Sequence, residues 1–541
     1  MISEVTITIK PQDEKNQKLI QKAILAELTK KNVYVGNQDL SFVFVKKSID
    51  ARHGQVKYHL RYKVFIGEKS TDIKTSELSE WKNASGNKSV IIVGAGPAGL
   101  FGALKLLEKG IKPIIVERGS VTSKRKQDIA KISTQNLVND DSNYCFGEGG
   151  AGTFSDGKLF TRSNKRGNIN KILQIFVHFG ANESILTDAH PHIGTDKLPL
   201  IINAMREKII SLGGEFYFDT RCVDFIKNEK NKVTGIVTKN TITQEQKTFT
   251  ADAVVVATGH SAFDIYELIG KVNPQALEAK TFAMGVRVEH PRTLIDAIQY
   301  HGQNNDGILP TAEYRLTTQV EERGVYSFCM CPGGFVVPSA TGPDEIVVNG
   351  MSASARNSKW SNAAIVVETR PEDIPEEFVQ RAKGAGCKAL AGLYFRKYIE
   401  EETKKQGKGQ AAPAQRMTDF LANRETKDFP PSSYTPGIVS SRIDIWMPEQ
   451  IAGRLAQGFL DFGKNMKGFV NKDAVLIASE TRTSTPVRIL RDKESCESVA
   501  IKNMYPAGEG AGYAGGIMSA AIDGIQSAEA LIAQLEENAH G

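Results

Sequence analysis

The sequence predicts an α/β fold, because short apolar strands alternate with glycine turns and helices. The first observation is a strand over 89–93 that runs through a glycine turn into a helix and then into a second strand over 113–116. The second is an apolar strand over 253–257 that ends in a Thr-Gly turn. The third is a closing strand, glycine turn and helix over 504–535. We expect these segments to form one α/β domain.

The composition places the chain among ordinary globular proteins. Of its 541 residues, 40% are hydrophobic and 24% are charged, which excludes disordered, collagen-like and low-complexity classes. No stretch approaches the ~18 consecutive apolar residues of a membrane-spanning helix, and the N-terminus lacks the apolar region of a signal peptide. The six cysteines are scattered and form no disulfide framework. We predict a cytoplasmic protein without a membrane span; the sequence does not indicate its oligomeric state.

Residues 1–82 are predicted to form a small basic α+β domain with the element order β-α-β-β. Apolar residues at helical spacing predict a helix over 19–28. Alternating apolar residues predict strands over 5–9, 41–49 and 56–66. One face of such a sheet is expected to be solvated.

The charge of this first domain raises the question of an anionic partner. Residues 1–82 hold 15 Lys and Arg against 10 Asp and Glu, a net charge of +5, whereas the whole chain carries +6. Such a domain either binds a polyanion such as nucleic acid or has a solvated charged surface. Its basic face, with Lys57, Arg61 and Lys63, carries only Phe65 as an aromatic residue, so it lacks the aromatic interleaving of a single-strand platform. We predict no specific nucleic-acid binding.

The glycine turn after the strand over 89–93 matches a dinucleotide-binding fingerprint. Gly94 makes the tight turn, Gly96 allows the backbone to approach a pyrophosphate, and Gly99 allows helix and strand to pack closely. Glu117 ends the next strand, where it is placed to accept hydrogen bonds from ribose hydroxyls. This context predicts a Rossmann-like domain with phosphates at a helix N-terminus. A second match to the pattern, at 147–152, follows a polar segment and is no second unit of this kind.

The extended pattern Gly94-x-Gly96-x-x-Gly99-x-x-x-Ala103 with Glu117 resembles FAD enzymes of the two-dinucleotide-binding-domains flavoprotein superfamily, which is glutathione reductase-like. In that superfamily a late strand ends in a carboxylate that holds the ribityl chain, and Gly508-Glu509 fits it. The following helix points its N-terminus at the flavin, where it stabilises negative charge on the reduced ring. The resemblance also implies a backbone contact from Val223 to the adenine.

More closely, several blocks resemble a bacterial family of largely uncharacterised FAD-dependent dehydrogenases. The blocks are FGEGGAGTFSDGKL, PHIGTDKL, GVYSFCMCPGG, ETRTSTPVRI and YPAGEGAGYAGGIMSAA. The resemblance implies a non-covalent FAD. The residues expected to hold it are Gly94, Ala95, Gly96, Pro97, Ala98, Gly99, Glu117, Arg118, Gly149, Gly150, Lys158, Val223, Thr258, Gly259, Gly508, Glu509, Gly515, Gly516 and Ile517.

The domain organisation follows from these motifs. We expect an FAD-binding domain built from 83–280 and 476–541, an inserted mixed α+β substrate domain over 281–475, and a polar linker over 67–88. Between 260 and 475 the sequence has no second strand–GxGxxG–helix unit of the kind that binds NAD(P)H in disulfide reductases. NAD(P)H is therefore expected only as a transient electron donor.

The sequence signals for catalytic residues are less specific than those for the cofactor motif. Cys329 and Cys331 share a face if their strand is extended, so they either line the core or pocket or relay electrons as thiols. Glu480 and Arg482 precede the C-terminal glycine turn. Arg482 either clamps an anionic substrate, offsets charge on reduced flavin, or forms an internal ion pair. Cys331, Glu480 and Arg482 are the catalytic candidates.

The histidines add no metal site. His190 and His192 precede a predicted helix, and His260 follows the Thr-Gly turn, and each is expected to be structural rather than an acid or base. No cysteine or carboxylate pattern accompanies them at metal-ligand spacing.

The function predicted from the sequence is that of an FAD-dependent oxidoreductase that transfers hydride to or from an unknown small molecule. The pocket walls are expected at 147–160, 328–338 and 478–488. A flavin-dependent monooxygenase is one alternative, because it also needs no nicotinamide domain. A non-catalytic FAD-containing binding or sensing protein is the other.

Overall fold

The N-terminal residues form the predicted β-α-β-β unit. A computed structural model of the chain describes residues 1–36, 38–52, 54–67, 78–85, 87–160, 167–302 and 307–540. The first elements are β1 (Ile2–Ile9), α1 (Gln17–Lys30), β2 (Leu40–Asp50) and β3 (Lys57–Ile66). The strands are antiparallel in the order β1-β3-β2, and Ile20, Ile24 and Leu28 of α1 are buried in the core that this sheet shares.

The part that follows contains the predicted strand–turn–helix unit. Part of the predicted linker, 68–77 and 86, lies outside the described residues. The elements are β4 (Ser89–Val93), α2 (Pro97–Leu107), β5 (Lys112–Val116), α3 (Thr122–Gln135), α4 (Ile169–His178), α5 (Leu198–Ser211), β6 (Glu215–Tyr217), β7 (Thr220–Lys227), β8 (Val233–Asn240), β9 (Gln246–Thr250), β10 (Ala253–Val256) and α6 (Phe263–Val272).

The remaining elements form the middle region and the C-terminus. In chain order they are β11 (Leu277–Ala279), β12 (Phe282–Pro291), α7 (Arg292–Gln299), β13 (Thr317–Val320), β14 (Arg323–Cys331), β15 (Phe335–Pro338), β16 (Val348–Met351), β17 (Trp360–Thr369), α8 (Glu376–Gly384), α9 (Ala391–Gln406), β18 (Ala412–Arg416), α10 (Met417–Leu421), β19 (Ile438–Ser440), α11 (Ile443–Trp446), α12 (Glu449–Asn465), β20 (Val475–Glu480), β21 (Val487–Ile489), β22 (Met504–Pro506) and α13 (Ile517–His540).

A parallel sheet in the order β22-β10-β4-β5-β6 lies at the centre. Its strands come from both segments of the predicted cofactor domain, because β22 of the second segment pairs with β10 of the first. Apolar residues on both faces of this sheet are buried, as parallel sheets require. The α/β class and the Rossmann-like domain with an inserted domain are confirmed.

The middle region folds around a different sheet. Its order is β13-β14-β17-β12-β20-β18-β19, and its pairs are antiparallel except for β18 with β19. The sequence predicts a single helix near 377–401, but the chain divides there into α8 and α9, so this prediction is wrong in extent. The break contains Gly386, whose φ of 84° lies in the left-handed region that glycine favours. The domain limits drawn from the sequence stay predictions.

In the described part of the chain, none of the helices is both long enough and apolar enough to span a membrane.

Candidate functional site

Three strand ends meet at one large cleft. Strands β4, β10 and β22 are parallel neighbours, so the turns that follow them lie at the same edge of the sheet. These turns contain Gly94, Thr258-Gly259 and Gly508-Glu509. The cleft has a volume of about 2160 Å³. Pockets for a single drug-sized ligand occupy ~300–1,000 Å³, so this cleft has room for a dinucleotide and a second molecule.

The three glycines of the first turn have different structural roles. Gly94 has a φ of 109°, and a Cβ there would lie 2.4 Å from the carbonyl oxygen of Ala257. A Cβ on Gly99 would lie 2.1 Å from the carbonyl oxygen of Gly94. At Gly96, by contrast, the nearest heavy atom to a Cβ would be the Cα of Gly150, at 3.8 Å. Gly94 and Gly99 are therefore required by the fold, whereas Gly96 borders open space in the cleft.

Two helices begin at this cleft. Pro97 at the start of α2 and Ile517 at the start of α13 both line it. The helices pack against each other so closely that a Cβ on Gly524 would lie 2.1 Å from the carbonyl oxygen of Ala98. Helix N-termini carry partial positive charge and unsatisfied N–H groups. The cleft therefore has two places that favour negative charge.

Glu117 holds the first turn to its neighbours. Its carboxylate accepts hydrogen bonds from the backbone N–H groups of Ala95 (2.9 Å), Gly119 (2.9 Å) and Gly147 (3.0 Å). Glu117 lines the cleft, which keeps it beside the predicted ribose position, but its contacts in the structure are with backbone. Its contact with a ribose stays a prediction.

Arg118, which the sequence assigned to the cofactor, is engaged with protein groups. It forms ion pairs with Asp141 (2.8 Å) and Asp264 (3.0 Å) and lies over the ring of Phe146, 4.1 Å from its centroid. Arg118 also lines the cleft, so these contacts hold one part of the cleft wall in place.

The loop over 147–158 lies against the first turn. Gly149 donates its N–H to the carbonyl of Ala95 (2.9 Å), and a Cβ on Gly150 would lie 3.0 Å from the Cα of Gly96. At its far end, the ammonium group of Lys158 donates to the carbonyl of Met330, across the cleft in the middle region. The loop therefore connects the first turn to the opposite wall.

Sequence reasoning missed the residue that supports this loop. Arg125 of α3 is fully buried and donates to the backbone carbonyls of Asn143 (2.8 Å), Tyr144 (3.0 Å) and Glu148 (2.8 Å). An arginine inside a helix carries no motif, and its partners lie 18 to 23 positions away. No sequence signal marked it.

Val223 lies at an irregularity of β7. The pairing register of β7 with β8 shifts between Cys222 and Asp224, so Val223 is the bulged residue. A bulge leaves a backbone group outside the ladder. Its predecessor Cys222 lines the cleft. The predicted adenine contact from this backbone stays a prediction that the geometry permits.

The last glycine turn brings a carboxylate and a histidine together. Glu509 Oε1 lies 3.5 Å from Nδ1 of His260, and both residues line the cleft. Asp523 of α13 accepts the N–H of Gly508 (2.6 Å) and pairs with Arg491 (2.6 Å). The sequence did not mark Asp523, which holds this turn from behind.

The predicted cofactor residues separate into two groups. The following line the cleft: Gly94, Gly96, Pro97, Ala98, Glu117, Arg118, Gly150, Lys158, Thr258, Gly259, Glu509, Gly515, Gly516 and Ile517. The following lie next to that lining: Ala95, Gly99, Gly149, Val223 and Gly508.

The expectation that Cys329 and Cys331 share a strand face is wrong. The register of β14 with β17 shifts between Phe328 and Cys331, and Cys329 has a φ of 41°. As a result the Cys329 side chain is exposed toward the cleft, whereas Cys331 is 2% exposed. Burial raises the pKa of Cys331, so this residue is a thiol near neutral pH, and thiols are poor nucleophiles.

Glu480 belongs to a buried ion pair that sequence reasoning did not find. Its Oε2 accepts Nε–H of Arg287 (2.9 Å), and both side chains are buried. Arg287 also donates to Asn362 (2.8 Å), to the carbonyl of Cys329 (3.2 Å) and to the thiol of Cys331 (3.9 Å). Burial raises the pKa of Glu480, and the charge of Arg287 offsets part of that rise. This network forms the floor of the cleft beside the cysteines.

Arg482 is an internal partner of two carboxylates. It pairs with Glu400 (2.8 Å) and Glu345 (2.7 Å) and donates to the carbonyl of Ser339 (3.3 Å). Burial lowers the pKa of Arg482, but the two carboxylates more than reverse this and raise it well above its ordinary value. Of the three roles left open by the sequence, the structure places Arg482 in the internal ion pair.

His190 and His192 belong to a polar cluster on the opposite wall. Nδ1 of His190 lies 3.1 Å from Glu313, and Glu313 pairs with Arg356 (2.7 Å). Arg356 also pairs with Asp156. Nε2 of His192 lies 3.1 Å from the carbonyl of Ser354, and burial lowers the pKa of His192. These contacts tie the loop over 147–158 to the middle region.

The residues present fit FAD. Gly96 leaves the space that a pyrophosphate needs, and the start of α2 faces that space. Glu509 and the start of α13 line the far end of the same cleft. The cleft exceeds the volume of a single small ligand.

Family models cover most of the chain. Residues 88–288 match the model of pyridine nucleotide-disulphide oxidoreductases. Residues 281–483 match the model described as FAD-dependent protein, C-terminal domain-like. Residues 1–65 match a domain of unknown function.

A full-length relative and several solved structures are also similar. An uncharacterized protein from Clostridium beijerinckii is 38% identical over 526 residues, which cover 94% of this chain and 95% of the relative. A geranylgeranyl bacteriochlorophyll reductase-like structure from Thermoplasma acidophilum is 11% identical with a TM-score of 0.34, over 83% of this chain and 79% of that chain. The Sdh1 structure from Mycobacterium smegmatis is 14% identical with a TM-score of 0.33, over 83% and 69%.

Proposed function

The chain belongs to a family of FAD-dependent oxidoreductases, and from that premise we propose that it transfers hydride between a small organic molecule and a non-covalently bound FAD. The observation that carries this proposal is the open space at Gly96 within a cleft of about 2160 Å³. Open space beside a helix N-terminus favours a phosphate group, because the N–H groups there are unsatisfied.

The chain's own residues would bind and orient the cofactor. The turn at Gly96 and the start of α2 would hold the pyrophosphate, and Glu117 would lie beside a ribose. Glu509 would hold the ribityl chain, and the start of α13 would stabilise negative charge. When bound, FAD supplies a ring that accepts or donates a hydride. The buried pair Arg287–Glu480 would keep a fixed positive and a fixed negative group at the cleft floor, away from water.

The donor test starts from the purified protein with bound FAD under anaerobic conditions. We expect NADH and NADPH alone to reduce the flavin slowly, with half-saturation only near or above about 1 mM, because no second phosphate turn is available to bind them. Stopped-flow mixing, followed by bleaching of the oxidised flavin band, measures this. Fast reduction that saturates at micromolar NADH or NADPH would contradict the expectation that the chain has no dedicated NAD(P)H-binding unit.

The same experiment separates the related activities. Reduction by a substrate that itself donates hydride would identify a dehydrogenase or oxidase. Mixing the reduced protein with oxygen tests the monooxygenase alternative, because that activity inserts an oxygen atom into the substrate. Bound FAD that no donor reduces would favour a binding or sensing role.

The two cleft cysteines give a separate prediction. Because burial raises the pKa of Cys331 and the two cysteines do not share a strand face, we expect the variant Cys329→Ser/Cys331→Ser to keep its FAD and to be reduced at a rate within about twofold of the unchanged protein. The measurement is the same stopped-flow bleaching, with dithionite as a donor that needs no protein thiol. A rate at least tenfold lower with NADH, NADPH or an organic donor, but unchanged with dithionite, would support the hypothesis that the thiols relay electrons to the flavin.

A further inference from the structure

The N-terminal domain is joined to the rest of the protein at the mouth of the cleft. Lys47 of β2 donates its N–H to the carbonyl of Thr187 (3.0 Å), and its own carbonyl accepts the N–H of Ala189 (3.1 Å). Tyr58 of β3 donates its hydroxyl to the carbonyl of Ile308 (3.2 Å). The domain therefore contacts both the cofactor domain and the middle region.

These contacts make the N-terminal domain a wall of the same cleft. Ile49, Ala51, Arg52 and Tyr58 line the cleft that also contains Gly96. Val56 and Ala51 pack with the core of the larger body rather than with that of their own sheet. A domain that was only tethered by a linker would not share both a core and a pocket with its neighbours.

The mouth carries large apolar side chains that remain in contact with water. Ile49 is 37% exposed, Phe160 is 52% exposed and Ile308 is 48% exposed, and all three line the cleft. They come from the N-terminal domain, the cofactor domain and the middle region respectively. We call these three residues the apolar rim. Exposed apolar groups that border a binding groove gain free energy when a ligand covers them.

Three of the charged groups beside the apolar rim are already paired. Lys47 lies 2.8 Å from Glu14, and Arg52 lies 2.8 Å from Asp50. On the other side, Glu313 is held by Arg356. Groups that are satisfied within the protein offer little net gain to a charged ligand. The rim is therefore better suited to recognise hydrocarbon than charge.

We propose that the N-terminal domain forms one wall of the second-substrate entrance and that the apolar rim binds the apolar part of an organic substrate. This inference rests on the proposed function, because it assigns the space that FAD leaves in the cleft. It gives the N-terminal domain a role in substrate selection. Ile49 is then a specificity-determining residue contributed by a domain that lies far from the glycine turns in sequence.

Binding of neutral n-alkanols tests the rim without turnover. The protein with bound FAD is saturated with the fluorescent dye 1-anilinonaphthalene-8-sulfonate, and n-alkanols of increasing length displace it. We expect each added methylene to tighten the inhibition constant about three- to fourfold until the rim is covered. The variant Ile49→Ser should bind the dye and the longer alkanols about tenfold more weakly.

A matched control keeps this test specific. Leu200 is 64% exposed at the start of α5 and does not line the cleft, so Leu200→Ser should behave like the unchanged protein. Affinity that is independent of chain length, or equal losses in Ile49→Ser and Leu200→Ser, would overturn the inference. The variant Ile308→Ser, which keeps the carbonyl that Tyr58 contacts, gives a second measurement if Ile49→Ser does not fold.

The flavin band is recorded in every sample. Full FAD content with an unchanged dye affinity in Ile49→Ser removes the role of the rim and leaves the proposed function in place. Absence of FAD from the unchanged protein removes the proposed function instead, so the two failures are distinguishable.

Discussion

Replacing Gly96 by valine should produce a folded protein that does not retain FAD. A Cβ at this position has the Cα of Gly150 as its nearest heavy atom, at 3.8 Å, so the side chain fits the protein but enters the cleft. There it takes the place of the pyrophosphate and blocks the approach to the start of α2. We expect FAD to bind at least about a hundredfold more weakly, which corresponds to about 2.8 kcal/mol. Flavin absorbance after gel filtration and a titration with free FAD measure this.

The control for Gly96→Val is Gly453→Val. Gly453 lies exposed in α12, outside the cleft lining, and a Cβ there has no heavy atom within 4 Å. Its replacement should leave FAD content unchanged. Both variants should unfold at a similar temperature to the unchanged protein when FAD is removed from all three. Stoichiometric FAD in Gly96→Val would disprove the assignment of this turn.

Replacing Arg482 by methionine should destabilise the protein strongly, because Glu345 loses its guanidinium partner and Glu400 keeps only the more distant Arg396, at 3.7 Å. Glu400 and Glu345 lie 2.8 and 2.7 Å from the guanidinium group. Removing one member of a buried ion pair costs about 3–5 kcal/mol of unfolding free energy. The measurement is the urea midpoint, followed by the fluorescence of the tryptophans. A change below about 0.5 kcal/mol, which is typical of surface substitutions, would contradict this role.

The same ion pair also predicts how the stability of the protein depends on pH. Burial raises the pKa of Glu400, but the positive charge and hydrogen bonds of Arg482 outweigh it and lower that pKa from 4.5 to about 2. A lowered pKa contributes stability that is present above pH 4.5 and is lost as the pH falls toward 2. In Arg482→Met this acid-dependent loss should become smaller. The double variant Arg482→Met/Glu345→Gln should recover part of the stability, because it removes the carboxylate charge that Arg482→Met leaves without a guanidinium partner.

The cofactor side of the cleft could be predicted because its determinants are local. Gly94, Gly96 and Gly99 lie within six positions, between a strand and a helix whose apolar patterns are clear. Parallel pairing then brings the turns after β4, β10 and β22 to one edge, which is a property of the sheet rather than of any one residue. The fold class and the glycine turns could therefore be inferred without coordinates.

The floor and walls of the cleft could not be predicted in the same way. Arg287 and Glu480 are separated by 193 positions, and although Glu480 opens the block ETRTSTPVRI, nothing in the sequence pairs it with Arg287. The bulge that separates Cys329 from Cys331 depends on pairing with β17, so an extended strand was the wrong assumption. The internal ion pairs of Arg482, which distinguish it from a clamp for an anionic substrate, depend on Glu345 and Glu400, and both are distant from it in sequence. Such side-chain networks depend on tertiary packing, which periodicity does not encode.

The discontinuous parallel sheet has a consequence for biosynthesis. Strand β4 and helix α2 are synthesised well before β22 and α13, which complete the sheet and pack against α2. Because domains form as their segments become available during synthesis, the cofactor domain can close only after β22 and α13 have left the ribosome. Cofactor capture then follows the synthesis of these two elements. A polypeptide truncated before Met504 should hold no FAD, because it lacks the strand and the helix whose residues line one part of the cleft.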